Sequence, residues 1–122
     1  MFFPVSGWFA AFVLTLAVEL PIAVLMLRRA EPELWRRVAL VVFANLVTHP
    51  AVWYVFSQLF LIGTIEYVVA AEAWAIAVEA VFYVVTIRGL AAAPAVAVAV
   101  VANVVSFGVG RGVGALSPDL FG

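Results

Sequence analysis

Four apolar runs, each about the length of a membrane span, decide what this chain can fold into. They cover roughly residues 5–27, 38–61, 65–87 and 92–110, and most of the charge lies between them. A helix crosses a bilayer with about 20 mostly apolar residues. Of the 122 residues, 68% are hydrophobic and 11% are charged. A soluble domain is about 45–50% apolar and about 25% charged. A chain this short cannot hide so much apolar surface inside itself, so its solvent is lipid. Strands are the weaker reading. The runs do not alternate in polarity at period two, and four short strands cannot close a barrel. The expectation is an all-α polytopic membrane protein, one transmembrane domain over residues 1–122.

The arginines orient it. Arg28, Arg29, Arg36, Arg37 and Arg88 follow the first and third runs, and only Arg111 lies on the other side. The positive-inside rule then puts both termini outside and the 28–37 loop in the cytoplasm, as in the cytoplasmic membrane of a bacterium or archaeon. The first run has no basic segment before it, so it reads as a span and not as a cleaved signal. Trp8, Trp35, Trp53, Tyr54 and Tyr67 fall near span ends, where aromatic rings anchor at the interface. With no cysteine, thiolate metal sites and disulfides are excluded. A net charge of −1 without a basic patch gives no reason to expect nucleic acid.

A repeat runs through the apolar background. Residues 17–28, "AVELPIAVLMLR", parallel residues 77–88, "AVEAVFYVVTIR". Glu19 aligns with Glu79 and Arg28 with Arg88. In the second and fourth runs, "VVFANLVTHP" parallels "AVVANVVSFG", so Asn45 aligns with Asn103 and Thr48 with Ser106. Coincident Glu, Arg and Asn weigh more than Ala and Val, because polar residues are scarce here. The chain thus reads as two tandem helical hairpins, about 5–61 and 65–110, with a short tail over 111–122. Hairpins entering from the same side form a parallel repeat about an axis along the membrane normal. That predicts a four-helix bundle with Glu19 facing Glu79 across the axis.

Depth and face place the polar residues together. At about 1.5 Å of rise per residue, His49 and Asn103 lie near mid-span, with Glu19, Asn45 and Glu79 about 4–6 Å toward the cytoplasm. Glu72 lies about 6 Å toward the outside. Asn45 and His49 share a helix face. Glu72, Glu79, Tyr83 and Thr86 form a stripe, and Thr15 precedes Glu19 by one turn. On the last helix, Ala95, Ala99, Asn103, Ser106 and Gly110 make a narrow face of small and polar residues suited to close helix packing.

Ionisable groups at such depth cost about 2.5–3.5 kcal/mol to insert. Glu19, Asn45, His49, Glu72, Glu79, Tyr83 and Asn103 are therefore the candidates for a polar site or translocation path. Thr48 and Ser106 fit helix-to-helix hydrogen bonding, and Pro21 and Pro50 fit kinks. Each proline frees the carbonyl four residues earlier, that of Ala17 or Leu46, as an acceptor for the site. His49 aligns with Phe107, Pro50 with Gly108 and Glu72 with Phe12, so His49 and Glu72 are asymmetric additions to the frame.

A transport or proton/cation-translocation module, acting as an oligomer or with a partner, is the function these materials suggest. One alternative is a non-catalytic accessory or assembly subunit, docking through the small-residue face and the "GVGRGVG" end. A second is an intramembrane metal or cofactor bundle, for which Glu19, His49 and Glu79 are weak ligands without an E-x-x-H pair. No cofactor is expected. No H-E-x-x-H or Ser/His/Asp motif points to an enzyme. The expected partners are the bilayer, further copies of the chain and other membrane subunits.

Overall fold

The computed structural model describes residues 5–121. It is helical, with no strand among the described residues: α1 (Val5–Met26), α2 (Leu34–Tyr54), α3 (Phe56–Leu59), α4 (Ile65–Thr86) and α5 (Ala92–Leu116). Four segments are long and apolar enough to cross a membrane: α1, α2 with α3, α4 and α5. The chain is an all-α membrane protein built as a four-helix bundle.

Each long helix packs on two neighbours, in the cyclic order α1, α2, α4, α5 and back to α1. The backbones of the diagonal pairs α1–α4 and α2–α5 do not come close among the described residues. Helices α1 and α4 end at residues 26 and 86. Helices α2 and α5 start at residues 34 and 92.

Two boundaries differ from the sequence expectation. Helix α2 begins at Leu34 and not near residue 38, so Arg36 and Arg37 belong to its first turn. The reason is tertiary. Arg37 Nη1 donates to the Val24 carbonyl of α1 at 2.5 Å and Nη2 to the Pro32 carbonyl at 3.5 Å, and Arg36 pairs with Glu31. These contacts balance the Arg36 charge and satisfy the Val24 carbonyl in the last turn of α1. Helix α5 continues to Leu116, so Arg111 is helical and not part of a tail. Nothing before Ser117-Pro118 stops it.

The tightest packing lies toward the arginine-rich end. Ala23, Leu27, Val41, Ala44, Ala80, Tyr83, Ile87, Ala95, Val98 and Ala99 form one buried apolar cluster. Val41, Ala44, Ala95 and Ala99 are completely inaccessible. Alanine at the contact lets helix backbones approach closely, which is how helices associate when lipid is as apolar as they are. Phe9, Phe43, Val47, Val81, Val85 and Val104 point outward, as a lipid-facing surface requires. Pro21 and Pro50 lie within α1 and α2, which remain single helices past them. The second span is interrupted only at Val55. The short turns before α4 and α5 use Gly63 and Gly89 at φ +87° and +81°, a region that side chains with a Cβ disfavour.

Candidate functional site

One turn from the apolar cluster, each long helix contributes a polar residue to a common layer. Helical spacing explains the placement: Glu19 and Ala23 share the inner face of α1, with Leu27 just past its end, as Glu79 and Tyr83 share that of α4, with Ile87 at its C-cap. Val41, Asn45 and Thr48 do the same on α2, and Ala99, Asn103 and Ser106 on α5. Glu19, Asn45 and Glu79 are each 1% exposed.

The carboxyls are tied to neighbouring helices. Ser106 Oγ on α5 donates to Glu19 Oε2 at 2.8 Å. Thr48 Oγ1 on α2 donates to Glu79 Oε2 at 3.3 Å. Asn103 Nδ2 donates to Glu79 Oε1 at 3.3 Å and to the Ala99 carbonyl at 2.8 Å. Asn45 Nδ2 donates to the Val41 carbonyl at 3.0 Å. Thr48 and Ser106 also reach carbonyls of their own helices, Ala44 at 3.1 Å and Asn103 at 3.1 Å. Each hydroxyl therefore shares one hydrogen between its own backbone and a glutamate of another helix. Glu19 and Glu79 lie close enough to interact electrostatically. Yet Glu19 Oε1 is buried and receives no donor.

A cavity of about 410 Å³ rises from this layer. Glu19, Asn45 and Asn103 line its floor. Its walls include His49, Trp53, Tyr67, Glu72, Phe107 and Arg111, which run toward the end of the bundle that carries both termini. At the opposite end Leu27, Val41, Tyr83, Ile87 and Val98 fill the interior. Glu79 is not part of the lining and sits behind the floor. Gly110 contributes space: a Cβ built there meets nothing within 4 Å.

Several expectations are corrected. Trp53 and Tyr67 line the cavity and are more than interfacial anchors. Depth along the helix suggested the interface, but the side of the helix decides, and Trp53 follows His49 by four residues on the same face. Tyr67 also donates its hydroxyl to the Val52 carbonyl at 2.9 Å, tying α4 to α2. Trp8 stacks on Phe12 at 5.4 Å and sits 6.4 Å from the His49 ring. Trp35, in contrast, stands exposed at the start of α2, where an anchor belongs.

His49 does not bond either carboxyl layer residue. Its Nε2 lies 3.3 Å from Thr15 Oγ1, its Nδ1 is buried without a partner, and its ring meets the Phe12 ring edge-on at 5.5 Å. Tyr83 belongs to the apolar cluster, and no hydrogen bond joins it to Glu79 among the described residues. Ala17 and Leu46 face outward, and neither they nor Pro21 and Pro50 line the cavity. The carbonyls freed by the prolines are therefore not acceptors of the site. Among the described residues no three His, Asp or Glu side chains gather as metal ligands, so Glu19, His49 and Glu79 do not form a ligand set.

Arg111, Phe107, Trp53 and Tyr67 are wall residues that a search for buried polar groups passes over. The available signal was the continuation of one face at helical spacing, from Asn45 through His49 to Trp53 and from Asn103 through Phe107 to Arg111. No protein-family model matches the chain, and no curated protein or solved structure does either.

Proposed function

We propose that this protein is a transport module that moves a proton or another small cation, with Glu19 and Glu79 as its exchange site. The observation that carries this reading is the state of Glu19. It is buried on the cavity floor, its Oε1 lacks a donor, and the Glu79 carboxyl is close enough to interact with it electrostatically. Two acceptors cannot hydrogen-bond each other unless a proton sits between them. A proton shared by the pair supplies the missing donor, and a cation arriving from the cavity displaces it. The cavity gives access from one end and the apolar cluster blocks the other, an arrangement suited to alternating access.

The hairpin repeat supports the same reading. Helices α1 and α4 end 60 residues apart, at Met26 and Thr86, and α2 and α5 start 58 apart, from 34 to 92. Those are the offsets of the Glu and Asn alignments. Glu19 of the first hairpin bonds Ser106 of the second, and Glu79 of the second bonds Thr48 of the first. A site on the axis between repeats is where transporters of this construction bind their solute. With both termini outside, the cavity opens outward. Return of the site to the cytoplasm requires the Leu27, Val41 and Tyr83 layer to part, and a second copy or a partner subunit supplies the surface for that movement.

The small-residue face of α5 is packed against α1 and α4, which leaves an accessory-subunit reading only the exposed glycine-rich end at Gly108 and Gly112. The test is flux. Purified protein in liposomes should take up protons down an imposed gradient, and Glu19→Gln and Glu79→Gln should each abolish the uptake. Normal flux in both variants overturns the reading.

A further inference from the structure

The cavity has two zones that differ in symmetry. At and just behind its floor the paired positions carry like residues: Glu19 with Glu79, Asn45 with Asn103, Thr48 with Ser106. Above the floor the paired positions differ: His49 with Phe107 and Trp53 with Arg111 all line the cavity, and Glu72 lines it where its counterpart Phe12 does not. A floor that treats both sides alike suits a proton, which has no shape. One-sided walls suit a ligand with a head and a body.

The geometry points to an organic monocation with an apolar body, a quaternary ammonium or protonated amine, seated between Glu72 and the rings of Trp53, Tyr67 and Phe107. This deepens the transport reading and rests on it for the coupling to Glu19. Glu72 lines the cavity and has no hydrogen-bond or ion-pair partner among the described residues. It lies within Coulombic reach of Glu19, whose Oε1 is unpartnered on the floor below. Two carboxyl groups with spare acceptors, in a space walled mainly by carbon, attract a positive charge more strongly than water-exposed ones do. Besides His49, Arg111 is the one basic residue on the lining among the described residues. It is exposed, at the far end from the floor, and pairs with no carboxylate among the described residues.

The body of the ligand is set by the rest of the wall. Leu14, Val52 and Val68 join the aromatic rings there. A bare divalent ion takes six or more oxygen ligands, which this wall does not offer. Aromatic faces attract ammonium groups that shed water easily, and quaternary ammonium ligands use such walls. The cavity volume of about 410 Å³ is in the range of small-molecule sites, about 300–1,000 Å³.

Binding of radiolabelled tetraphenylphosphonium to the purified full chain in detergent tests this, with tetraphenylborate as an anion of the same shape. Saturable binding of the cation is expected, with weak or no binding of the anion. Glu72→Gln should weaken cation binding about tenfold or more, the effect of losing a charged partner. Trp53→Ala should weaken it several-fold, with Trp53→Phe restoring most of the affinity, and Arg111→Gln should leave it unchanged or tighter. Helical circular dichroism and a single gel-filtration peak identify variants that are folded. Equal binding of the two ions, or unchanged cation affinity in both folded Glu72→Gln and Trp53→Ala, overturns the proposal. Proton flux without saturable cation binding in the wild type also overturns it and leaves the transport reading intact. Cation binding with the expected variant pattern, but without flux, supports this site and removes the transport reading instead.

Discussion

The Ser106 hydroxyl on α5 donates to Glu19 Oε2 on α1 at 2.8 Å, joining residues 87 positions apart in the chain. Its counterpart joins Thr48 on α2 to Glu79 on α4 at 3.3 Å. These two bonds cross between hairpins, so they lock the carboxyl layer as well as the bundle.

Removing either hydroxyl should therefore cost stability by a similar amount. Ser106→Ala and Thr48→Val should each destabilise the bundle by about 0.5–1.5 kcal/mol, the net worth of one hydrogen bond. Because the two bonds end on neighbouring carboxyls, the double variant should depart from the sum of the singles. Reversible unfolding in detergent or bicelles measures all three. Strict additivity would mean that the two carboxyls do not interact.

The close contact of α5 with α1 and α4 should tolerate no added bulk. Ala99 is completely inaccessible, and Ala99→Leu should destabilise by about 1–3 kcal/mol through overpacking. Val104 points outward, and Val104→Leu should stay within about 0.5 kcal/mol of the wild type. The same unfolding assay separates the two, and equal effects would contradict the packing described.

Gly89 turns the chain between α4 and α5 at φ +81°, with open space around the position of a Cβ. Gly89→Ala should cost about 1–2 kcal/mol, the backbone penalty of the left-handed region alone. A neutral substitution, read by thermal unfolding, would mean that the turn relaxes to another conformation.

The absence of cysteine makes topology simple to read. A cysteine at Glu33 should react with membrane-impermeant maleimide only from the cytoplasmic side, and one at Gly63 or Ser117 only from outside. The reverse pattern in intact cells would invert the proposed orientation and make the cavity face the cytoplasm.

Much of this architecture is legible in the residues because lipid leaves few choices. Runs of about 20 apolar residues in lipid must become helices, and the four long helices follow. The inner faces are legible because Glu19, Asn45, Glu79 and Asn103 are costly in contact with lipid, which leaves only the interior for them. Trp53 and Tyr67 were misread because an aromatic ring near a span end satisfies either the interface or a cavity, and only the rotation of its helix decides. Helix α2 starts early because Arg37 reaches a carbonyl of α1, a contact between segments that no local pattern records. The prolines misled for a similar reason. Pro21 sits among outward-facing residues, so the carbonyl it frees serves no polar site.

The proposal that Glu19 and Glu79 share a proton is most directly tested by infrared difference spectroscopy of the protein in lipid. Subtracting the spectrum of the Glu19→Gln/Glu79→Gln double variant from that of the wild type should leave the carbonyl stretch of one neutral carboxylic acid. That band should shift in Ser106→Ala and in Thr48→Val, whose hydroxyls bond the pair. A difference spectrum that shows only ionised carboxylate would contradict the shared proton and the exchange site built on it.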